Sequence, residues 1–336
     1  MKLLIITQVV DREHPVLGFF HQWISEFAAH CERVTVVCLQ SGEYDLPENV
    51  TVVSLGKERG AGRFSILKNF YQAIISNRSQ YNSVFVHMNQ IYVILGWPIW
   101  FLLRKRISLW YTHGTVSLSL RLATLLADKI FTASNNSFNV SSAKVIVTGH
   151  GINTNHFAPQ QSDKKYDLIS VGRISRAKNL HTLIDVLHSL SSSAAPSLAL
   201  VGTPVTTEDE AYEEELKNKI LELSLQDRVH FIGKVTQQDL PETLNSAKVF
   251  VTSANNGSLD KAILEAMACG LPVVSMAEGS KSLPLGSNQV ADTAAMSEVI
   301  SRYLSMENTR DVNNTSCIKN QHSLKQLIPS ILKSLS

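Results

Sequence analysis

The sequence lacks the features that define several large protein classes. Its 336 residues include only four cysteines, none in a CxxC pair, so neither a disulfide framework nor a cysteine zinc site is expected. Lys and Arg number 31 and Asp and Glu 29, for a net charge of +2. That near-balance argues against a protein that coats nucleic acid. The most apolar stretch, residues 91–103, is too short to span a bilayer.

Two cofactor signatures are also missing. A nicotinamide- or flavin-binding domain needs GxGxxG directly after its first strand, but here Thr7 is followed by QVVDREH. No P-loop, GxxxxGK[ST], occurs either, so the pattern argues against a dehydrogenase and against a P-loop NTPase. A secretory signal would need a longer apolar region and a small-residue cleavage site. We therefore read the N-terminal run as a first strand and expect a cytoplasmic protein.

The composition is that of a globular protein, with 44% hydrophobic and 18% charged residues, and the length suggests about two domains. Short apolar runs alternate with helical patterns over residues 2–148 and again over 167–304. Continuous apolar runs indicate strands buried on both faces, hence parallel sheets covered by helices. A polar run, 159–165, separates the two halves. The predicted parts are residues 1–158, residues 166–310 and a C-terminal helix at 321–336.

The first segment that contains candidate functional residues, 171–180, reads VGRISRAKNL. A strand ends at Gly172, which lets a ligand approach the backbone closely. Arg173 offers a fork for two phosphate oxygens, and Lys178 adds a point charge just before a helix begins. The alternative reading is a pair of surface cations in a loop.

The second segment, residues 255–275, reads NNGSLDKAILEAMACGLPVVS. A polar loop opens a helix that contains Glu265, and such a loop can present backbone N–H groups to a diphosphate or to sugar hydroxyls. For Glu265 alone, a solvated helix carboxylate remains the alternative.

Together the two segments resemble the retaining glycosyltransferases of the family 4 type, the glycosyl transferases group 1. The family's VGRxxxxK loop is matched at 171–178, and its EAMACGxPVV signature is matched from Glu265 to Val274. Residues 150–157, HGINTNHF, are similar to the family's NGVDxxxF stretch. The resemblance covers most of the C-terminal half and is weak in the N-terminal half. It implies an α/β protein of two facing Rossmann-like, doubly wound parallel-sheet domains (GT-B) with a C-terminal helix that crosses back to the first.

The resemblance also implies roles for individual residues in binding a nucleotide-sugar donor, a UDP- or GDP-sugar. Arg173 and Lys178 would neutralise the diphosphate, Glu265 would hydrogen-bond the ribose, and Lys234 and Val235 would flank the base. No cofactor and no metal ion are expected. The implied donor-binding residues are Gly18, Gly172, Lys234, Val235, Asn256, Gly257, Ser258, Leu259 and Glu265.

In the first half, Gly18 would let the loop after the first strand approach phosphate or acceptor. His113 matches the family's histidine near the transferred sugar and, with Arg173, Lys178 and Glu265, completes the implied catalytic set. A structural histidine at a strand end is the alternative for His113.

One departure from the family bears on mechanism. The family's E-x7-E pair places its first carboxylate eight residues before Glu265, which is Gly257 here, and a one-residue shift reaches only Asn256. The residues therefore favour a front-face transfer with retention over a double displacement, which needs two carboxylates about 5 Å apart. Two alternatives stay open: a catalytically degenerate sugar-nucleotide-binding protein and a nucleotide-sugar epimerase of the same architecture.

The acceptor, a glycan, a lipid-linked glycan or a small molecule in polysaccharide biosynthesis, is expected to meet the first domain. Residues 91–106 are apolar and end in Arg104, Lys105 and Arg106, so weak peripheral contact with anionic lipid is one reading. A crossover helix buried against the sheet is the reading that we favour. Phe19, Phe20 and Trp23 either shape an acceptor pocket or pack in the core, and we expect two of the three in the core.

Overall fold

A computed structural model describes residues 1–14, 16–190, 195–255, 257–307 and 309–335. The chain divides into two units. The first comprises residues 1–153 and 322–336, and the second comprises residues 154–321.

The first unit is a seven-stranded parallel sheet in the order β3-β2-β1-β4-β5-β6-β7. Because β1 and β4 are adjacent while β2 and β5 lie outward on either side, the sheet is doubly wound. Its strands are β1 (Lys2–Val10), β2 (Arg33–Ser41), β3 (Val50–Ser54), β4 (Ser83–His87), β5 (Arg106–Trp110), β6 (Lys129–Thr132) and β7 (Val145–Val147). Its helices before the chain enters the second unit are α1 (Phe19–His30), α2 (Arg63–Ser76), α3 (Ile91–Leu102) and α4 (Leu118–Leu126).

The second unit is a five-stranded parallel sheet in the order β10-β9-β8-β11-β12. Its strands are β8 (Tyr166–Val171), β9 (Leu198–Val201), β10 (Val229–Gly233), β11 (Ala247–Thr252) and β12 (Val273–Ser275). Its helices are α5 (Leu180–Ser189), α6 (Thr207–Glu222), α7 (Leu240–Asn245), α8 (Lys261–Ala268), α9 (Thr293–Leu304) and α10 (Val312–Gln321). The polar run 159–165 lies in this unit, where the Lys164 ammonium donates to the carbonyls of Asn245 and Ala247, each at 2.8 Å.

The predicted fold class is confirmed, because the predicted alternations over residues 2–148 and 167–304 form two parallel sheets with their helices. Residues 91–102 form the crossover helix between β4 and β5, and Tyr92, Val93 and Trp100 are buried. Of the three aromatic residues of α1, Phe20 and Trp23 are buried while Phe19 is half-buried. The expectation of two core aromatics is therefore confirmed. Among the described residues, no helix is both long enough and apolar enough to cross a bilayer.

The chain ends in a helix that belongs to the core of the first unit, as expected. Helix α11 (Leu324–Leu335) buries an apolar stripe that includes Leu327, Ile328 and Ile331. The stripe packs in one cluster with α1, whose own stripe of Phe20, Trp23, Ile24 and Phe27 has the spacing of one helix face. A parallel β-bridge between Ile152 and Ser323 precedes this helix. In it the Ile152 N–H donates to the His322 carbonyl at 2.7 Å, and the Leu324 N–H donates to the Ile152 carbonyl at 2.8 Å.

Two histidines are buried in the first unit. His322 accepts a hydrogen bond at Nδ1 from the His150 N–H at 3.3 Å, and burial lowers its pKa to about 4. His87 stacks on Phe20 with ring centres 3.8 Å apart. Its pKa is lowered to about 3, mainly by burial and also by His150. Both imidazoles are therefore neutral in the folded protein at neutral pH.

We expect Ile331→Ala to destabilise the first unit by about 2–5 kcal/mol, because it opens a cavity in a fully buried site. The exposed Lys325→Ala on the same helix serves as the control and should change stability by less than about 0.5 kcal/mol. All four tryptophans, residues 23, 97, 100 and 110, lie in this unit, so denaturant unfolding followed by tryptophan fluorescence reports on it alone. Equal midpoints for the two variants would show that α11 contributes nothing to this core.

We also expect the stability of the first unit to fall as the pH drops from about 6.5 to 4. In that window the unfolded chain protonates His322 while the folded chain does not, so protons favour unfolding. The shift corresponds to about 3 kcal/mol. His322→Asn keeps an acceptor for the His150 amide and should make this part of the pH profile shallower, with His87 still contributing, whereas the exposed His30→Asn should leave the slope unchanged. Parallel profiles for wild type and His322→Asn would contradict the assignment.

Candidate functional site

The candidate site lies at the carboxyl edge of the second sheet, where three adjacent strands end in glycine. Gly172 follows β8, Gly202 follows β9 and Gly233 ends β10. The Gly172 N–H donates to the Val201 carbonyl at 2.9 Å, and the Gly202 N–H donates to the Gly233 carbonyl at 2.8 Å. Ligands of open α/β sheets bind at this edge.

Close backbone contacts explain the first two glycines. Gly172 has φ of +146° and Gly202 has φ of +137°, a region that L side chains rarely adopt. A Cβ on Gly202 would lie 2.0 Å from the Gly172 carbonyl oxygen, and one on Gly172 would lie 2.5 Å from the Lys178 Nζ. Side chains at these positions would push the loop after β8 away from the sheet.

The loop after β8 is tied to the segment that precedes α8. Arg176–Lys178 form a single 3-10 turn, and Asn179 leaves it in the left-handed conformation, with φ of +53°, at the start of α5. The Asn255 N–H donates to the Ala177 carbonyl at 2.9 Å, and the Ser253 hydroxyl donates to the Asn179 carbonyl at 2.8 Å. These bonds bring together the two segments that the sequence singles out.

Arg173 is half-exposed and has a carboxylate partner. Its Nε lies 3.6 Å from Asp209 Oδ2, and its side chain is 47% exposed. Asp209 is buried in the first turn of α6, where it forms a capping box with Thr206 and its position is therefore fixed. The ion pair uses only Nε, so the two terminal nitrogens of the Arg173 fork remain for an anion.

Lys178 is more buried, with 17% of its side chain exposed, and its ammonium donates to Asp260 Oδ2. Asp260 is the N-cap of α8, because its Oδ1 accepts the Ala262 N–H at 3.2 Å. The carboxylate thus lies between a lysine and the positive end of a helix, a position that also suits phosphate.

Glu265 is 3% exposed, which rules out the alternative of a solvated carboxylate. It accepts a hydrogen bond from the ammonium of Lys261, one helical turn earlier. The Lys261 ammonium lies 5.6 Å from the centre of the Phe157 ring and 3.4 Å from Gln237 Oε1. Buried carboxylates need such partners, because an unpaired buried charge is strongly unfavourable.

Lys234 and Val235 lie in the loop that follows β10. Lys234 is exposed and Val235 is half-buried. Through Gln237 the same loop reaches Lys261, so the structure brings 234–237 next to the Glu265 pair.

Four predicted donor-binding residues precede α8. Asn256 lies outside the described residues. Gly257 is exposed and Ser258 is half-buried, whereas the Leu259 side chain is buried, so only the backbone of Leu259 is available to a ligand.

The two predicted residues of the first half belong to the first unit. Gly18 precedes α1, and a Cβ there would lie 2.7 Å from the carbonyl oxygens of both Arg12 and His14, so its own loop requires a glycine. His113 is exposed beyond the end of β5, with its ring 5.8 Å from that of Tyr111.

The second-unit residues form a set of three ion pairs at the carboxyl edge of the sheet. Ser170, Gly172, Lys178 and Val201 border a void of only about 10 Å³, room for at most one water molecule. The predicted phosphate ligand of Lys178 would therefore have to approach from the solvent side. Within the described residues, no three His, Cys, Asp or Glu side chains gather in a group that could hold a metal ion.

Comparison with known proteins identifies this unit. Residues 152–311 match the model of the family "Glycosyl transferases group 1". The match covers just under half of the chain. The resemblance that the sequence motifs indicate is thereby confirmed.

Curated relatives align with only part of the chain. Mannosylfructose-phosphate synthase of Agrobacterium fabrum is 32% identical over 110 residues, which cover 32% of this chain and 24% of that protein. The lipopolysaccharide core biosynthesis mannosyltransferase LpsB of Rhizobium meliloti is 28% identical over 144 residues, 40% of each chain. The matches thus span about a quarter to two fifths of these relatives.

Solved structures extend the similarity of fold to the whole chain. HepE of Anabaena, solved with UDP, superposes with a TM-score of 0.79 at 19% identity and covers 100% of this chain and 99% of that one. Sucrose-phosphate synthase from Thermosynechococcus elongatus has a TM-score of 0.76 at 16% identity, with 99% and 98% covered. The chain therefore has the GT-B fold.

Sequence reasoning missed three charged residues of this domain: Asp209, Asp260 and Lys261. The Lys261–Glu265 spacing of four was a visible signal for a helical ion pair. The Asp260 and Asp209 pairs join residues 82 and 36 positions apart in the sequence, and no local pattern predicts them.

Asp260 pairs with Lys178, the predicted phosphate-binding lysine, so its negative charge should oppose the binding of a phosphate there. Asp260→Asn keeps the helix cap, since Asn caps as well as Asp, but removes the negative charge. We expect the dissociation constant for UDP or GDP, measured by calorimetry, to fall roughly tenfold, the scale of one partly screened charge contact. The matched control is Asp292→Asn at the N-cap of α9, whose carboxylate accepts the Ala295 N–H at 2.8 Å. It should leave the dissociation constant unchanged. Weaker binding by Asp260→Asn alone would show instead that Asp260 orders Lys178 for its ligand.

Proposed function

We propose that the protein is a retaining glycosyltransferase that moves a hexosyl group from a nucleotide-diphosphate-sugar to an acceptor without a metal ion. The observation that carries the proposal is the grouping of Arg173, Lys178 and Glu265 at the carboxyl edge of a glycosyl transferases group 1 domain. Mannosylfructose-phosphate synthase and LpsB are named for mannosyl chemistry, and HepE has been solved with UDP-glucose. These names support a hexose donor here.

The donor would lie across the ends of β8 and β10. Its diphosphate would meet the terminal nitrogens of Arg173 and the solvent side of Lys178, with Gly172 and the backbone of 257–259 close by. Glu265 would hold the ribose, and the loop of Lys234 and Val235 would lie along the base, a uracil or a guanine.

The reaction proposed is a front-face substitution at the anomeric carbon. The bond from that carbon to the phosphate oxygen breaks while the acceptor oxygen bonds on the same face, and the departing phosphate oxygen takes the acceptor's proton. Arg173 and Lys178 stabilise the charge that develops on the diphosphate. A double displacement is less favoured, because Gly257 replaces the family's first carboxylate and both oxygens of nearby Asp260 are already bound.

The first unit would bind the acceptor, a glycan, a lipid-linked glycan or a small molecule. We propose that His113 lies near the transferred sugar and that Gly18 lies near phosphate or acceptor, as the family resemblance implies. The exposed imidazole of His113 is available for such a contact.

One observation favours a second candidate, a protein that binds nucleotide-sugars without transferring them. Gly257 stands where the family has a carboxylate. Such a protein would bind the donor and release neither nucleotide nor sugar, and an epimerase would convert the donor with no acceptor present. Incubation with radiolabelled nucleotide-sugars, with and without acceptor glycans, separates the three outcomes.

We expect Arg173→Ala and Lys178→Ala each to lower transfer at least about a hundredfold, the usual loss on removing one preorganised electrostatic donor, roughly 3 kcal/mol. Arg176→Ala is the matched control. This cation lies in the same loop but pairs with Glu215 at 2.5 Å and lies 5.2 Å from the centre of the Tyr212 ring. It should retain nearly full activity. Near-normal turnover by both test variants, measured as nucleoside diphosphate released, would refute the proposed function.

A further inference from the structure

A long part of the first unit carries positive charge only. From Arg59 to Ala127 the chain has eight Lys and Arg residues and neither Asp nor Glu, although the two charge types are nearly balanced over the whole chain. This stretch includes α2, α3 and α4, whose buried residues pack together on one side of the first sheet. The outer side of these helices therefore presents cations without carboxylates.

The ends of α3 and α4 lie at the same edge of the sheet. Each helix returns the chain to the start of the next parallel strand, β5 or β6, and these strands are neighbours. Both helices pack in one core cluster. Their last turns are therefore adjacent at the amino edge, opposite the strand ends that carry His113.

Four large apolar side chains of these last turns face solvent. Phe101 is 63% exposed, Leu102 79%, Leu122 42% and Leu125 73%. Arg104 and Arg121, which are close to them in the sequence, are also exposed. We call these six residues the amino-edge face.

A groove adjoins the end of α3. It measures about 800 Å³, and its lining includes Lys2, Arg104, Lys105 and Arg106, with Glu32 as an acidic wall residue. Glu32 lies 3.4 Å from the Lys2 ammonium. Lys105 has a structural task, since its ammonium donates to the carbonyls of Arg78 and Tyr81 at 3.0 and 2.5 Å. Arg104 is exposed in this lining, so its charge is available to a ligand.

We propose that the amino-edge face docks on an anionic lipid bilayer. Its leucines and phenylalanine would enter the boundary between head groups and acyl chains, while the arginines and the groove bind lipid phosphates. Aliphatic side chains do not stack on bases, so the face suits lipid better than single-stranded nucleic acid. The proposal is independent of the proposed function, because every residue involved lies in the first unit.

Co-sedimentation of the full chain with vesicles tests the proposal. Vesicles of phosphatidylcholine with about one third phosphatidylglycerol should bind the protein at low salt, and binding should weaken at about 0.5 M salt. Arg104→Gln with Arg121→Gln should lower the partition coefficient about fivefold per cation removed. Leu102→Gln with Leu125→Gln should lower it at least about tenfold.

The matched control combines Leu221→Gln with Arg302→Gln in the second unit, where Leu221 is 60% exposed and the Arg302 side chain 48%. It should bind as the wild type does. Failure to sediment with anionic vesicles, equal binding to pure phosphatidylcholine vesicles, or unchanged binding by both test variants would overturn the proposal. The proposal would also be overturned if the protein formed a dimer in vesicle-free solution and the double variant Leu102→Gln with Leu125→Gln did not. The amino-edge face would then be the contact between two copies of the chain.

Discussion

The candidate site depends on the close contact of two loops at the carboxyl edge of the second sheet. The Gly172 carbonyl lies so near Gly202 that position 202 leaves no room for a side chain, and the end of the Lys178 side chain occupies the place that a side chain at position 172 would take. Both glycines also have positive φ, which other residues adopt only with strain. The loop after β8, which carries Arg173 and Lys178, is thus held close to the edge of the sheet. The hydrogen bond from the Asn255 N–H to the Ala177 carbonyl brings the segment before α8 to the same edge.

The charges at this edge are arranged in pairs. Arg173 has Asp209, Lys178 has Asp260 and Glu265 has Lys261. Partly buried charges of this kind need partners in the absence of ligand, since desolvation penalises a lone charge. In the proposed function, this pairing would also set the cost of binding, because a diphosphate would compete with Asp260 for Lys178. By contrast, Asp209 forms an ion pair with Nε of Arg173 at 3.6 Å, which would leave the two terminal nitrogens for the diphosphate. The two cations would therefore contribute differently, Arg173 as a preset clamp and Lys178 as an exchangeable partner.

Hydrophobic pattern was sufficient to predict most of the fold. The alternations of apolar runs and helical patterns over residues 2–148 and 167–304 correspond to the two parallel sheets and their helices, from β1 to α9. Helix α10 was missed, because VNNTSCIKNQ buries only Asn314 and Ile318 and has no apolar period. Its stability comes from tertiary contacts, such as the bond from the Asn314 amide to the Leu271 carbonyl at 2.9 Å. The candidate site shows the same division. Motif spacing indicated Arg173, Lys178 and Glu265, but their partners depend on how distant strands and helices are brought together.

The most direct test of the account is whether a nucleoside diphosphate stabilises the second unit. Thermal unfolding followed by far-ultraviolet circular dichroism, with UDP or GDP at about a hundred times the dissociation constant, should show a gain of about 2.7 kcal/mol. The tryptophan signal, which comes only from the first unit, serves as an internal reference. One of the two nucleotides should stabilise wild type, uridine and guanosine should not, and Arg173→Ala should abolish the effect. Stabilisation of Arg173→Ala equal to that of wild type, or no stabilisation of wild type by either nucleotide, would contradict it.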